Sequence, residues 1–436
     1  VNFLLFLFLN AVLLIRPEEL IPELTGIRLY YVTILFCTIS SLPRLLRILS
    51  PSSLAERPVA VCVLLFFAST IISECFLGRF NEALFEFGPE FAKVILYYFL
   101  LLAVVDTPGR FRAFVATLIA LIAILTAVAL AQHYEMAQFP NIVPCSQREI
   151  HPETGEEYQL ARLVSSGIFN DPNDLCLVLG LGIWCCIYCS TTSSRGWVGR
   201  VIWLLPIPLY LYALTETHSR GGMLGVLGGG AAYLYSRYGG SKAIPLAAAG
   251  AAAAMLVLSG RQASLAGGGT AHQRVMAWAD GLGALFSQPL SIPTGLGMGW
   301  FVGEHDLVAH NSFIQAYVEL GCLGGGTFLG AFVVGGWIVD RLGRGVVAPD
   351  WAVQARPFTF AALIGYAIGC YSLTRNYVVP TYLTLGLATV VSGMAGPFLP
   401  DGYRVGRRWF GWMVVLSIAG LIAIRFFTMA LGRAGV

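Results

Sequence analysis

The sequence predicts an all-α membrane protein that crosses the bilayer many times, and three observations carry that prediction. Of its 436 residues, 57% are hydrophobic and only 12% charged, with a mean hydropathy of +0.73; ordinary soluble domains carry about 25% charged residues. Apolar runs suited to a hydrocarbon layer of ~30 Å recur from one end of the chain to the other. The charges collect between those runs, in clusters that alternate in sign along the chain.

In order, the runs fall at about 2–15, 27–41, 58–78, 91–105, 112–132, 174–190, 199–214, 221–236, 243–259, 312–338, 357–373, 378–396 and 410–430. They give twelve or thirteen helices, the number hinging on whether 410–430 crosses. The first run has neither a basic segment before it nor a small-residue cleavage pattern after it, so it reads as a retained span. With the N-terminus cytoplasmic, one set of short loops holds Arg44, Arg47, Arg110, Arg112, Arg195, Arg200, Arg341, Arg344, Arg407 and Arg408. That is the distribution expected of cytoplasmic loops. The opposite loops hold most of the acids, among them Glu18, Glu19, Glu82, Glu86, Glu90, Glu149, Glu156 and Glu304.

Across 1–436 the sequence reads as a single membrane domain, with two external stretches too long to be turns, 133–171 and 260–311. Loops of that length are usually functional or disordered. In the second, Val275, Trp278, Ala279, Leu282, Leu285 and Phe286 recur at helical spacing, with Gln273, Arg274 and Asp280 off the stripe. This predicts an amphipathic helix over about 271–287 lying at the external interface. The small-residue patterns at Gly221, Gly225, Gly229, Gly321 and Gly325 predict close helix packing.

The stretch "VAHNSFIQAYVELG" places His310 and Asn311 directly before a run built for lipid. Asn311 or Ser312 can cap the incoming helix, and Asn311, Gln315 and Glu319 then share one face at i, i+4, i+8. Lipid exposure of such a face is costly, so it is expected to meet a cavity or another helix. A second constellation, "TETHSRGG", sets Glu216, His218 and Arg220 before a glycine-rich run. Arg220 has two readings, a snorkelling interface residue or an anion fork at a helix N-terminus. Arg162 precedes another helix entrance, "GIFNDPND". Cys185, Cys186 and Cys189 have no histidine or acid beside them in sequence, and neither a metal site nor a cofactor is expected.

External arginines plus a histidine fit transfer from a lipid diphosphate. The leaving diphosphate gains charge as its bond breaks, and fixed guanidiniums stabilise that charge. A histidine, with an unperturbed pKa of about 6.5, can accept the proton of an attacking hydroxyl. A secondary transporter of an anionic solute, with Arg220 and Arg162 as ligands, is the alternative of another class.

The segments "RLVSSGIFNDPNDL", "THSRGGMLG", "QRVMAW", "PTGLGMGW" and "HNSFIQAYVELGCLG" resemble, in that order, the motifs of the O-antigen ligase and polymerase superfamily of bacterial envelope glycosyltransferases. The resemblance runs from about 162 to 324, with "HNSF…ELG" its most specific part. It implies a GT-C-like inner-membrane enzyme whose active site, with the large helical loop, faces the periplasm. Polysaccharide would pass from undecaprenyl diphosphate to a sugar hydroxyl of lipid A–core, without metal, cofactor or nucleic acid. Arg220 and Arg274 match the arginines taken to bind the diphosphate, Arg162 matches less closely, and His310 matches the proposed base, with Asn311, His218 and Gln315 in support. Ligases, chain polymerases and protein O-oligosaccharyltransferases of this superfamily share the donor and differ in the acceptor; the arginine–helix–histidine order within one loop resembles the ligases most.

Overall fold

The computed structural model describes residues 1–150, 156–242, 245, 268–305 and 308–433. Its helices are α1 (Asn2–Ile15), α2 (Leu29–Ile48), α3 (Pro58–Phe76), α4 (Gly88–Val104) and α5 (Pro108–His133). A hairpin of β1 (Cys145–Ile150) and β2 (Glu157–Arg162) follows. Then come α6 (Pro172–Thr191), α7 (Gly196–Leu204), α8 (Pro206–Glu216), α9 (Arg220–Tyr238), α10 (Gly268–Ser287), α11 (Trp300–His305), α12 (Ser312–Arg341), α13 (Asp350–Ser372), α14 (Val379–Met394) and α15 (Arg407–Arg433).

The chain is a multi-pass helical membrane protein. Among the described residues eight helices are long and apolar enough to cross a bilayer: Leu29–Ile48, Pro58–Phe76, Glu82–Val104, Pro108–His133, Pro172–Thr191, Gly196–Glu216, Ser312–Arg341 and Arg407–Leu431. The expected runs at 2–15, 221–236, 357–373 and 378–396 fall in α1, α9, α13 and α14, helices of 14, 19, 23 and 16 residues. The run at 243–259, residue 245 apart, and 260–267 of the second long loop lie outside the described residues.

The first long loop carries an antiparallel hairpin that pairs Cys145 with Arg162 through Ile150 with Glu157. Its strands mix polar and apolar residues without a clean alternation, which hid them from a search for apolar runs.

Contacts divide the chain into two compact units, each assembled from three separate stretches. The first comprises 1–46, 100–250 and 349–369. At its centre lies α6, the most enclosed of the candidate spans. Tyr210 on α8 donates its hydroxyl to the Ile119 carbonyl of α5 at 2.6 Å, and Tyr188 of α6 stacks on Phe358 of α13 at 5.0 Å between centroids. Gly225 of α9 lies against Gly365 of α13, where a Cβ would sit 2.8 Å from the Gly365 carbonyl oxygen. The expected close packing of small residues is realised there.

The second unit comprises 47–99, 251–348 and 370–436. Its centre is α12, against which α3, α14 and α15 pack. Gly321 breaks α12 with φ 61° and ψ −158°, a conformation essentially restricted to glycine. Here Gly321 supplies a chain break rather than the close helix contact its spacing suggested. The break disrupts the helical ladder, and the loop before α11 pairs with the exposed backbone groups. Leu296 and Gly297 donate N–H to the carbonyls of Val318 and Glu319 at 2.9 Å each, and the N–H groups of Cys322 and Leu323 donate to Ile292 and Pro293 at 2.8 and 3.0 Å. Irregular backbone at membrane depth requires such pairing.

Candidate functional site

In the first unit two helix entrances are laced together. Asp171 caps α6 by accepting from the Asn173 N–H at 2.8 Å, and Ser219 caps α9 by accepting from the Gly222 N–H at 3.2 Å. Asn173 joins the two, its Oδ1 accepting from the Ser219 hydroxyl at 2.7 Å and from Arg162 Nη2 at 3.2 Å. Arg162 also donates through Nε to the Thr217 carbonyl at 2.9 Å and through Nη1 to Gln147 Oε1 at 3.3 Å. With Nε, Nη1 and Nη2 all engaged on protein acceptors, Arg162 is a brace between the hairpin and the entrance to α9. Arg220 differs: at the first position of α9 its side chain is exposed, and no protein partner meets it among the described residues. His218 precedes the cap with φ 51°. His133 lies 3.8 Å from Glu216.

The second unit brings His310, Asn311, Gln315 and Arg274 onto two packed elements. Asn311, not Ser312, caps α12, its Oδ1 accepting from the N–H groups of Phe313 and Ile314 at 3.0 and 3.1 Å. His310 stands just outside the cap with φ 50°, an unusual backbone for a non-glycine residue. The backbone on either side of it is fastened, at Ala309 and at Ser312. Trp278 of α10 donates its indole N–H to the Ala309 carbonyl at 2.5 Å. On the other side the Ser312 hydroxyl donates to the Leu373 carbonyl at 2.6 Å and accepts from the Arg375 N–H at 2.8 Å, while Asn376 Nδ2 donates to the Ser312 carbonyl at 2.8 Å.

The expected amphipathic helix forms as α10, with Val275, Trp278, Leu282 and Leu285 buried and Gln273 and Asp280 exposed. These buried residues form a core cluster with Ala309, Ile314 and Tyr317, so protein covers much of the stripe. Arg274, off the apolar stripe, is half-buried one turn before Trp278, and burial pushes its guanidinium pKa below the usual value. Among the described residues no carboxylate neutralises it.

The polar face of α12 meets protein, as its cost in lipid required. Asn311, Gln315 and Glu319 are all buried. Gln315 Nε2 donates to both Glu319 carboxylate oxygens at 3.1 Å, and the Tyr377 hydroxyl donates to the second at 3.2 Å. The Gly299 N–H also donates to Glu319. Glu74, fully buried on α3, accepts from the Met298 N–H at 2.5 Å and lies 3.7 Å from Arg79. Gln315 therefore serves Glu319, one turn further along α12.

The sequence reading missed Arg375, Asn376 and Tyr377. Their signal was "TRNY", a polar group between two apolar runs. Nothing local revealed that this turn docks on the first turn of α12. The chain matches no protein-family model and no curated protein sequence.

Proposed function

We propose that this protein is an O-antigen ligase, moving polysaccharide from undecaprenyl diphosphate to a sugar hydroxyl of lipid A–core. The observation that carries the reading is the placement of His310. Its flanking residues are held, Ala309 by the Trp278 indole and Ser312 by the Leu373 carbonyl, beside a helix bearing the half-buried Arg274.

The chemistry follows from these groups. His310 takes the proton of the acceptor hydroxyl, whose oxygen attacks the anomeric carbon of the donor sugar. The bond from that carbon to the diphosphate oxygen breaks, and its electron pair leaves with the diphosphate. Arg274 binds that growing charge, its partial burial strengthening the interaction. The resemblance assigns the same role to Arg220. The motif order, the placement of these residues in the acidic set of loops, and the multi-pass helical architecture, with eight candidate spans among the described residues, support a bacterial inner-membrane enzyme acting at the periplasmic face, with its N-terminus cytoplasmic.

The buried Glu74 and Glu319 and the broken helix at Gly321 favour the transporter as a second reading, since such features mark ion pathways. Here, however, both carboxylates are engaged by loop amides, which gives them a structural use.

The test uses purified protein with undecaprenyl-diphosphate-linked polysaccharide and lipid A–core, reading the mass of the core lipid. A shift to higher mass that His310→Ala abolishes, with donor binding retained, is the expected result. Self-lengthening of the donor would make the protein a polymerase. Unchanged lipids, with an anionic solute taken up by vesicles containing the protein, would make it a transporter, and sugar appearing on an added protein acceptor would make it an oligosaccharyltransferase.

A further inference from the structure

In the stretch "QRVMAW" Arg274 carries the chemical reading, and Trp278 reads as one more residue of an apolar stripe. The structure gives Trp278 a second part. Its side chain is buried in one core cluster with Ile314 and Tyr317 of α12, and its ring meets Tyr371 edge-on at 6.3 Å, at the end of α13. Tyr371 in turn meets Phe427 of α15 at 5.8 Å. A ring packed on several sides aims its indole N–H in a fixed direction, and that N–H donates to the Ala309 carbonyl at 2.5 Å. Ala309 is 1% exposed, so bulk water does not stand in for the indole.

We infer that Trp278 is a positioning residue for the transfer, holding the peptide before His310 so that the histidine keeps the left-handed backbone from which its side chain serves as base. A peptide group is planar, so fixing the Ala309 carbonyl also fixes the His310 nitrogen on the other side of the same plane. The backbone after His310 is fixed independently, by the Asn311 cap and the Ser312 bonds. Between these anchors His310 has φ 50°, a conformation that a non-glycine residue keeps only where its surroundings over-determine it. Release of the first anchor lets the 309–310 peptide turn and φ return to negative values, which swings the Cα–Cβ bond and the imidazole with it. Misplacing a catalytic group by about 1 Å costs up to about a hundredfold in rate. The indole thus acts through His310 rather than on the reacting atoms.

The role rests on the proposed transfer reaction, and the test is steady-state transfer by the full-length protein in detergent, from undecaprenyl-diphosphate-linked polysaccharide to lipid A–core. Trp278→Phe keeps an aromatic ring in the cluster and removes the N–H. It is expected to lower kcat about ten- to a hundredfold, the range set by leaving a buried carbonyl unsatisfied, with KM for both lipids within about twofold. Arg274 shares the helix, so an unchanged donor KM shows that α10 keeps its place. Leu282→Val is the control, a change in the same core cluster at a side chain that cannot hydrogen-bond the backbone before His310; it should lower the melting temperature and leave kcat at the wild-type value. Wild-type kcat in Trp278→Phe overturns the inference and leaves the function standing. An equal loss of kcat in Leu282→Val also overturns it, because packing alone then accounts for the effect. Should Trp278→Phe not fold, Trp278→Tyr is judged by the same criteria, and failure of both to fold makes Trp278 a core residue and nothing more. If the wild type moves no sugar, the proposed function itself fails, and the inference with it.

Discussion

Asn311 separates a capping role from a chemical one. Its Oδ1 is the acceptor for the N–H groups of Phe313 and Ile314, which lie at the unpaired start of α12. In Asn311→Ala both donors lose that acceptor, and at 1% exposure water does not readily replace it. Loss of a cap costs about 0.5–2 kcal/mol, and burial places this one near the upper end. At 1.36 kcal/mol per tenfold, about 2 kcal/mol is a ~30-fold rise in opening of the first turn. The assay is amide hydrogen exchange, read at Phe313 and Ile314, beside transfer activity. Asn311→Ala should lose ~30-fold in protection at those two amides and, because His310 adjoins the cap, should lose transfer as well. Asn311→Ser restores a hydroxyl acceptor and should recover both. A Ser variant as inactive as the Ala variant, with protection recovered, would refute the capping argument and give the amide a direct part in the chemistry.

Gly321→Ala forces a side chain into a glycine-only conformation with its Cβ 2.5 Å from the Ile292 carbonyl oxygen; a cost above ~3 kcal/mol is expected, seen as lost expression or a collapsed thermal transition. Arg162→Ala, which removes a brace, should lower thermal stability by about 1–2 kcal/mol and leave diphosphate affinity within twofold; a large affinity loss without destabilisation would return Arg162 to the binding set. Arg274→Lys should reduce turnover at least about tenfold, since a point charge cannot reproduce a bidentate contact; wild-type kinetics would demote Arg274 to anchoring. Chelation of divalent ions should leave transfer unchanged, and activity lost to chelator but restored by a divalent ion would overturn the metal-free scheme.

The sequence alone determined the membrane class, because apolar length and charge exclusion are properties of single segments facing lipid. It also located α10, since the stripe of Val275, Trp278, Leu282 and Leu285 is a local period, and it named Asn311 as a cap candidate, because capping involves only neighbouring residues. What it could not decide depends on contacts distant in the chain. That Arg162 is a brace follows from Thr217, 55 residues away. That Glu319 is gripped by Tyr377 follows from a contact across 58 residues, and the docking of Arg375 on Ser312 spans 63. The break at Gly321 looked like one more small-residue spacing until the loop that pairs with it was in place. A polar side chain in a membrane protein must be satisfied by protein, and its partner is chosen by packing; only the tertiary structure says which partner that is.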